Sequence, residues 1–135
     1  MPIVIEWTKD LQYLAQDEEG HGIIVESRRE NFPAGFSPTK LMLAAAAACM
    51  SNHLLEVLVK KRLSVTKLRV LADGERAAEH PKKFKSIILT FEVQGNVSRE
   101  VLEGVLFLVK EKYCSVLNSL DPVITVKLES RVIAE

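Results

Sequence analysis

Charge of either sign is not in surplus: Lys plus Arg and Asp plus Glu each number 18 among 135 residues. The chain therefore has no overall field to draw it to nucleic acid or to an acidic membrane. Two basic runs, KKR at 60–62 and KKFK at 82–85, fit a local patch or, more simply, a solvated face. Long hydrophobic runs are also missing. The longest apolar stretch, residues 41–50, falls short of the roughly 20 residues needed to cross a bilayer, so no membrane association is expected. The start, MPIVIEWTKD, has no basic region followed by a long apolar run. A secretory signal is not expected, and the cytoplasm is the expected compartment.

Cysteine is scarce: Cys49 and Cys114 stand alone. In the cytoplasm such a pair is more often catalytic or incidental than a permanent staple. Their separation of 65 positions excludes a local C-x-x-C redox motif. His21, His53 and His80 show no ligand spacing with either cysteine, so neither a metal nor another cofactor is expected. Internal repeats, low-complexity segments and Gly/Ser linkers are absent as well. With 47% hydrophobic and 27% charged residues, an ordinary globular balance, residues 1–135 read as a single domain able to bury a real core.

The patterns present give an element order. Ile3, Ile5 and Trp7 alternate with Val4 and Glu6 as a half-buried strand should, and weaker strand signals follow near Leu11–Leu14 and in GIIVES, with DEEGHG as the turn between them. NFPAGFSP is a loop in which Ser37 can cap a helix that has Pro38 at its first position. That helix should run from about Pro38 to Lys61, with Leu41, Ala45, Ala48, Asn52, Leu55 and Val59 at helical spacing. Its first half is apolar on nearly every face, as in a buried helix. Strands centred on Leu68–Ala72 and Ile87–Val93 come next, joined by DGERAAEHPKK as an exposed connection. Ser98 should cap a second helix, with Glu100 in its first turn. Its stripe is Val101, Val105, Val109 and Tyr113, continuing past Cys114 through Val116, Leu117 and Leu120 until Asp121-Pro122 stops it. Ile124, Val126 and Leu128 form the last strand. The order is β-β-β-α-β-β-α-β, an α+β class.

Read from position alone, Cys49 is a small residue inside an apolar helix, too far from the helix start for the dipole to activate it. Cys114, near Lys112, Ser115 and Asn118, is the better candidate for exposure. His53 follows Cys49 by one turn, so a Cys–His ion pair is conceivable; a polar residue at the helix's exit from the core is the plainer account.

The segments SPTKLMLAAAAACMS and, later, EKYCSVL together resemble the OsmC/Ohr family of osmotically inducible and organic-hydroperoxide-resistance proteins. The element order matches too. The resemblance implies an OsmC-like fold with a long buried central helix and an intertwined homodimer, in which small alanines let helix backbones approach and leave room beside the sulfur. It implies a thiol peroxidase acting on organic hydroperoxides, with Cys49 peroxidatic and Cys114 resolving. An external dithiol would reduce the disulfide, and in some members that dithiol is a lipoylated protein. The family stabilises its thiolate with an arginine held by a glutamate ten residues before the cysteine. That glutamate position is Thr39 here, the matching arginine positions are Arg28 and Arg29, and Ser115 stands where a proline often follows the second cysteine. Thr39 also motivates a second expectation, a non-catalytic OsmC-like protein that binds an apolar small molecule in an interface cavity.

Overall fold

Alternation in the N-terminal segment produces an antiparallel meander of β1 (Val4–Lys9), β2 (Gln12–Gln16) and β3 (Gly22–Glu26), in which Ile5 lies opposite Ala15 and Tyr13 opposite Val25. The computed structural model describes residues 1–27 and 33–133. In it the chain forms two compact units, Met1–Met42 and Leu43–Glu135. The DEEGHG turn closes on Asp17, whose carboxylate accepts the N–H groups of Glu19 and His21 at 2.9 Å each. Asn and Asp side chains build such turns on their own backbone.

Beyond the meander, Glu26 N–H donates to Phe36 O at 3.0 Å, and the Glu26 carboxylate accepts Ala34 N–H at 2.8 Å. Gly35 permits that pinning, because a Cβ there would fall 1.9 Å from the carbonyl oxygen of Ile24. The expectation that the first strand is half-buried does not hold within one chain. Every residue of β1 is exposed, Trp7 at 69%.

α1 (Pro38–Lys60) begins as expected, with the Ser37 hydroxyl accepting Lys40 N–H at 3.3 Å and Pro38 in the first position. It is not buried all round its first half, and the residues noted at helical spacing are not its buried stripe. Ala46, Met50, Leu54 and Leu58 are fully buried, while Ala45, Ala48, Asn52, Leu55 and Val59 stay exposed. A helix lined with alanine on most faces does not itself choose which face to bury. The large Met50, Leu54 and Leu58 decide it, because burying a side chain of that size contributes about 1.5–3 kcal/mol. By length and composition α1 could cross a bilayer, but this stripe is already committed to a protein core.

That core is centred on β5 (Phe84–Gly95), which pairs antiparallel with β4 (Val65–Arg76) and parallel with β6 (Thr125–Ile133). Ile87, Leu89, Phe91 and Val93 alternate onto the buried face and cluster with the α1 stripe and with Leu102, Val105, Leu106 and Val109. The connection between β4 and β5 is shorter than expected. Asp73-Gly74, which reads as a turn signal, is paired strand opposite Ile88 and Ile87. A glycine suits this point because a Cβ would meet the Phe84 ring at 2.5 Å.

The second helix also differs from expectation. Ser98 caps α2 (Arg99–Leu108) as anticipated, accepting Val101 N–H at 3.2 Å. The helix then widens into a π-turn over Val109–Tyr113, breaks at Cys114, and resumes as the short α3 (Ser115–Asn118). Leu102 and Leu106 centre the buried face instead of Val101 and Tyr113, which are 36% and 50% exposed.

Phe91, fully buried on the central strand, tests this packing. Phe91→Ala should cost about 3–5 kcal/mol, measured as a lowered midpoint of denaturant unfolding with unchanged slope.

Candidate active site

The site forms where α1 meets the break after α2. Cys49 immediately precedes buried Met50, so its side chain lies on the flank of the buried stripe, half-buried, with alanines beside it. Cys114 is fully buried. The expected exposures are therefore reversed, and the π-turn is the reason. Its i→i+5 bond, Cys114 N–H to Val109 O at 2.9 Å, accommodates an extra residue and swings the Cys114 side chain inward. Such single wide turns often occur at functional sites. The Asn118 side-chain amide braces the turn, donating to Lys110 O at 2.9 Å and Cys114 O at 2.8 Å.

The break also sets the hydrogen bonds around the two sulfurs. A helix start leaves its first N–H groups without intrahelical partners. In α3, Leu117 N–H goes to Cys114 Sγ at 3.4 Å, while the N–H groups of Ser115 and Val116 favour the thiolate form of Cys49. The Ser115 hydroxyl lies 3.7 Å from Cys49 Sγ, and the two thiols influence each other's ionisation. Partial burial pushes the Cys49 thiol up, but Val116 N–H, the Ser115 hydroxyl, the Cys114 thiol and Ser115 N–H together outweigh it, and its pKa ends below the ordinary value. Cys114 goes the other way. Burial pushes it up to about 11, helped by the interaction with Cys49 and by the charge Cys49 carries, with Leu117 N–H opposing. Of the two sulfurs, Cys49 is the one that ionises first.

His53 stacks on Tyr113, ring centroids 6.1 Å apart and planes 29° from parallel, and its Nδ1 lies 3.7 Å from Glu56 Oε2. These contacts tie α1 to the π-turn and give His53 the plainer of its two readings. Of the residues singled out from sequence, Cys49 and Cys114 come together. Arg28 and Arg29 lie outside the described residues. The backbone donors at 115 and 116 were not foreseen, since nothing in a side-chain pattern marks a backbone N–H. The visible signal was Ser115, a residue with both an N–H and a hydroxyl where a proline was common.

The sequence profile of the OsmC-like protein family matches residues 30–129. No curated protein matches the chain. Among solved structures, a hypothetical protein from Aquifex aeolicus is 27% identical with a TM-score of 0.88, covering 99% of this chain and 96% of that one. The OsmC-like protein from Mycoplasma pneumoniae is 19% identical with a TM-score of 0.87, covering 98% and 96%. The organic hydroperoxide resistance protein OhrB of Bacillus subtilis is 17% identical with a TM-score of 0.68, covering 97% and 98%. The last two speak to the fold.

The opposite shifts of the two thiols predict an order of reaction. Iodoacetamide near neutral pH should modify Cys49 first, as read by peptide mass. Cys114 should follow only in unfolded protein or as pH approaches about 11.

Proposed function

The chain belongs to the OsmC-like protein family, and from that premise we propose that it is a thiol-dependent peroxidase for organic hydroperoxides, with Cys49 peroxidatic and Cys114 resolving. The observation that carries the reading is the approach of Cys49 to within 3.7 Å of Ser115, the residue directly after Cys114, with one thiol lowered and the other raised in pKa. Cys49 thiolate attacks the distal peroxide oxygen. An S–O bond forms, the O–O bond breaks, and its electron pair leaves on an alkoxide that takes up a proton to give the alcohol. The sulfur is now a sulfenic acid. Cys114 attacks it, water departs, and a Cys49–Cys114 disulfide forms. An external dithiol then supplies two electrons by exchange, with the dihydrolipoyl group of a lipoylated protein as the candidate class.

Several features support the substrate and assembly. Alanines beside the half-buried Cys49 give an apolar approach suited to an organic peroxide, and solved relatives of this fold include organic hydroperoxide resistance proteins. Arg28 and Arg29 are the candidates to add positive charge at the thiolate. The exposed α1 face, with Leu55 at 38% and Val59 at 71%, together with exposed β1, suits burial against a second copy in a cytoplasmic homodimer. Residues 1–135 act as one OsmC-like domain in this reading. Thr39, in place of the acid that would hold an arginine, favours the second reading, a non-catalytic protein binding an apolar molecule.

Cumene hydroperoxide with a dihydrolipoyl reductant separates the two. Wild type should consume the peroxide and Cys49→Ser should not. Cys114→Ser should turn over once and accumulate sulfinic acid at Cys49. Equal consumption by wild type and Cys49→Ser would leave the binding reading. Leu55→Glu combined with Val59→Glu should shift sedimentation from dimer to monomer.

A further inference from the structure

We infer that Ser115 is a catalytic residue of this site, its hydroxyl donating directly to the Cys49 sulfur and fixing the thiolate for attack. The inference rests on the peroxidase reading above and deepens it.

Four observations converge on Ser115. Its Oγ lies 3.7 Å from Cys49 Sγ, and a hydroxyl has one proton to give. Its backbone carbonyl is already engaged by the Ser119 hydroxyl at 2.7 Å, which holds the residue in place. Its neighbour Cys114 is extended, with φ −71° and ψ 100°, so that the chain turns at this point and presents residue 115 to α1. The amide N–H of Ser115 also favours the Cys49 thiolate, so the residue acts on that sulfur through both its hydroxyl and its backbone. A hydrogen bond to the charged form of a group favours that form, and bonds to an ionised partner are roughly twice as strong as neutral ones. Neither donor survives in a proline, and the hydroxyl alone is lost in an alanine.

Other groups could shift the same sulfur. The titratable side chains bracketing it are His53 and Glu56 on α1, Lys110, Glu111, Lys112 and Tyr113 on the π-turn, and Cys114 at the break after it. His53 is the one a turn beyond Cys49. Its ring, however, is stacked on Tyr113 and its Nδ1 faces Glu56. A shift due to His53 would respond to His53→Gln and be indifferent to residue 115.

The experiment uses the full chain and reads the pH dependence of Cys49 alkylation by iodoacetamide, peptide by peptide. Ser115→Ala should lower the rate near neutral pH by about threefold to tenfold, within the range for the loss of an ordinary hydrogen bond. Its profile should move to higher pH, and Ser115→Pro should move it further. Ser115→Thr, which keeps the hydroxyl, should stay near wild type, as should His53→Gln. A wild-type profile in folded Ser115→Ala overturns the inference, whether or not the proline variant folds. A shift in His53→Gln matching that of Ser115→Ala overturns it too. Peroxide consumption by wild type is measured in parallel. If the alkylation profile shifts as expected but wild type consumes no hydroperoxide, the donor contact stands and the peroxidase reading falls.

Discussion

One backbone bond, from Cys114 N–H to Val109 O, sets the geometry on which the site depends. It spans five residues instead of four, and the residue it accommodates changes the direction of everything after it. Continued at 3.6 residues per turn, the segment would keep its N–H groups inside the helix. Because it widens and then breaks, Cys114 turns inward and α3 starts afresh beside α1. The Asn118 side-chain amide bridges the break by donating to Lys110 O and Cys114 O, the latter also accepting the Asn118 backbone N–H at 3.0 Å.

The same break explains why two chemically identical thiols differ. Cys114 lies in the core next to Val109 and Leu117, where an ion would be costly, and it serves better as a proton donor. Cys49 lies on the edge, where partial burial is outweighed by donors from the start of α3. Each thiol reinforces the other's state, since a charge on Cys49 raises the cost of a second charge nearby. A dithiol arranged this way has a defined order of ionisation, set among the described residues by the donors around Cys49.

The apolar surface left open follows from how α1 chose its face. Once Met50, Leu54 and Leu58 turned into the core formed with β5, the opposite side kept Ala45, Ala48, Leu55 and Val59 in solvent. β1, with Ile5 and Trp7 exposed, is a second apolar surface of this kind. In a single chain both faces run against the tendency to bury large apolar groups, and a second copy is the cover proposed for them.

Much of the fold was legible from local pattern. The alternation in β5, the Ser37-Pro38 and Ser98 helix starts and the element order each depend on neighbours within a few residues, so the sequence carries them directly. Asp73-Gly74 was misleading because a turn signal is also what a strand shows when a ring such as Phe84 needs the space above it. The family resemblance paired Cys49 with Cys114, while their exposures came out reversed and the donors at 115 and 116 were invisible. By itself, then, the sequence determined the order of helices and strands, the two serine-capped helix starts and which residues carry sulfur. Only the tertiary structure decided which face of α1 is buried, which thiol is the acid, and which N–H groups meet it. Those outcomes depend on packing between segments some 65 positions apart, where an alanine-rich face offers no local preference and a backbone N–H has no letter of its own.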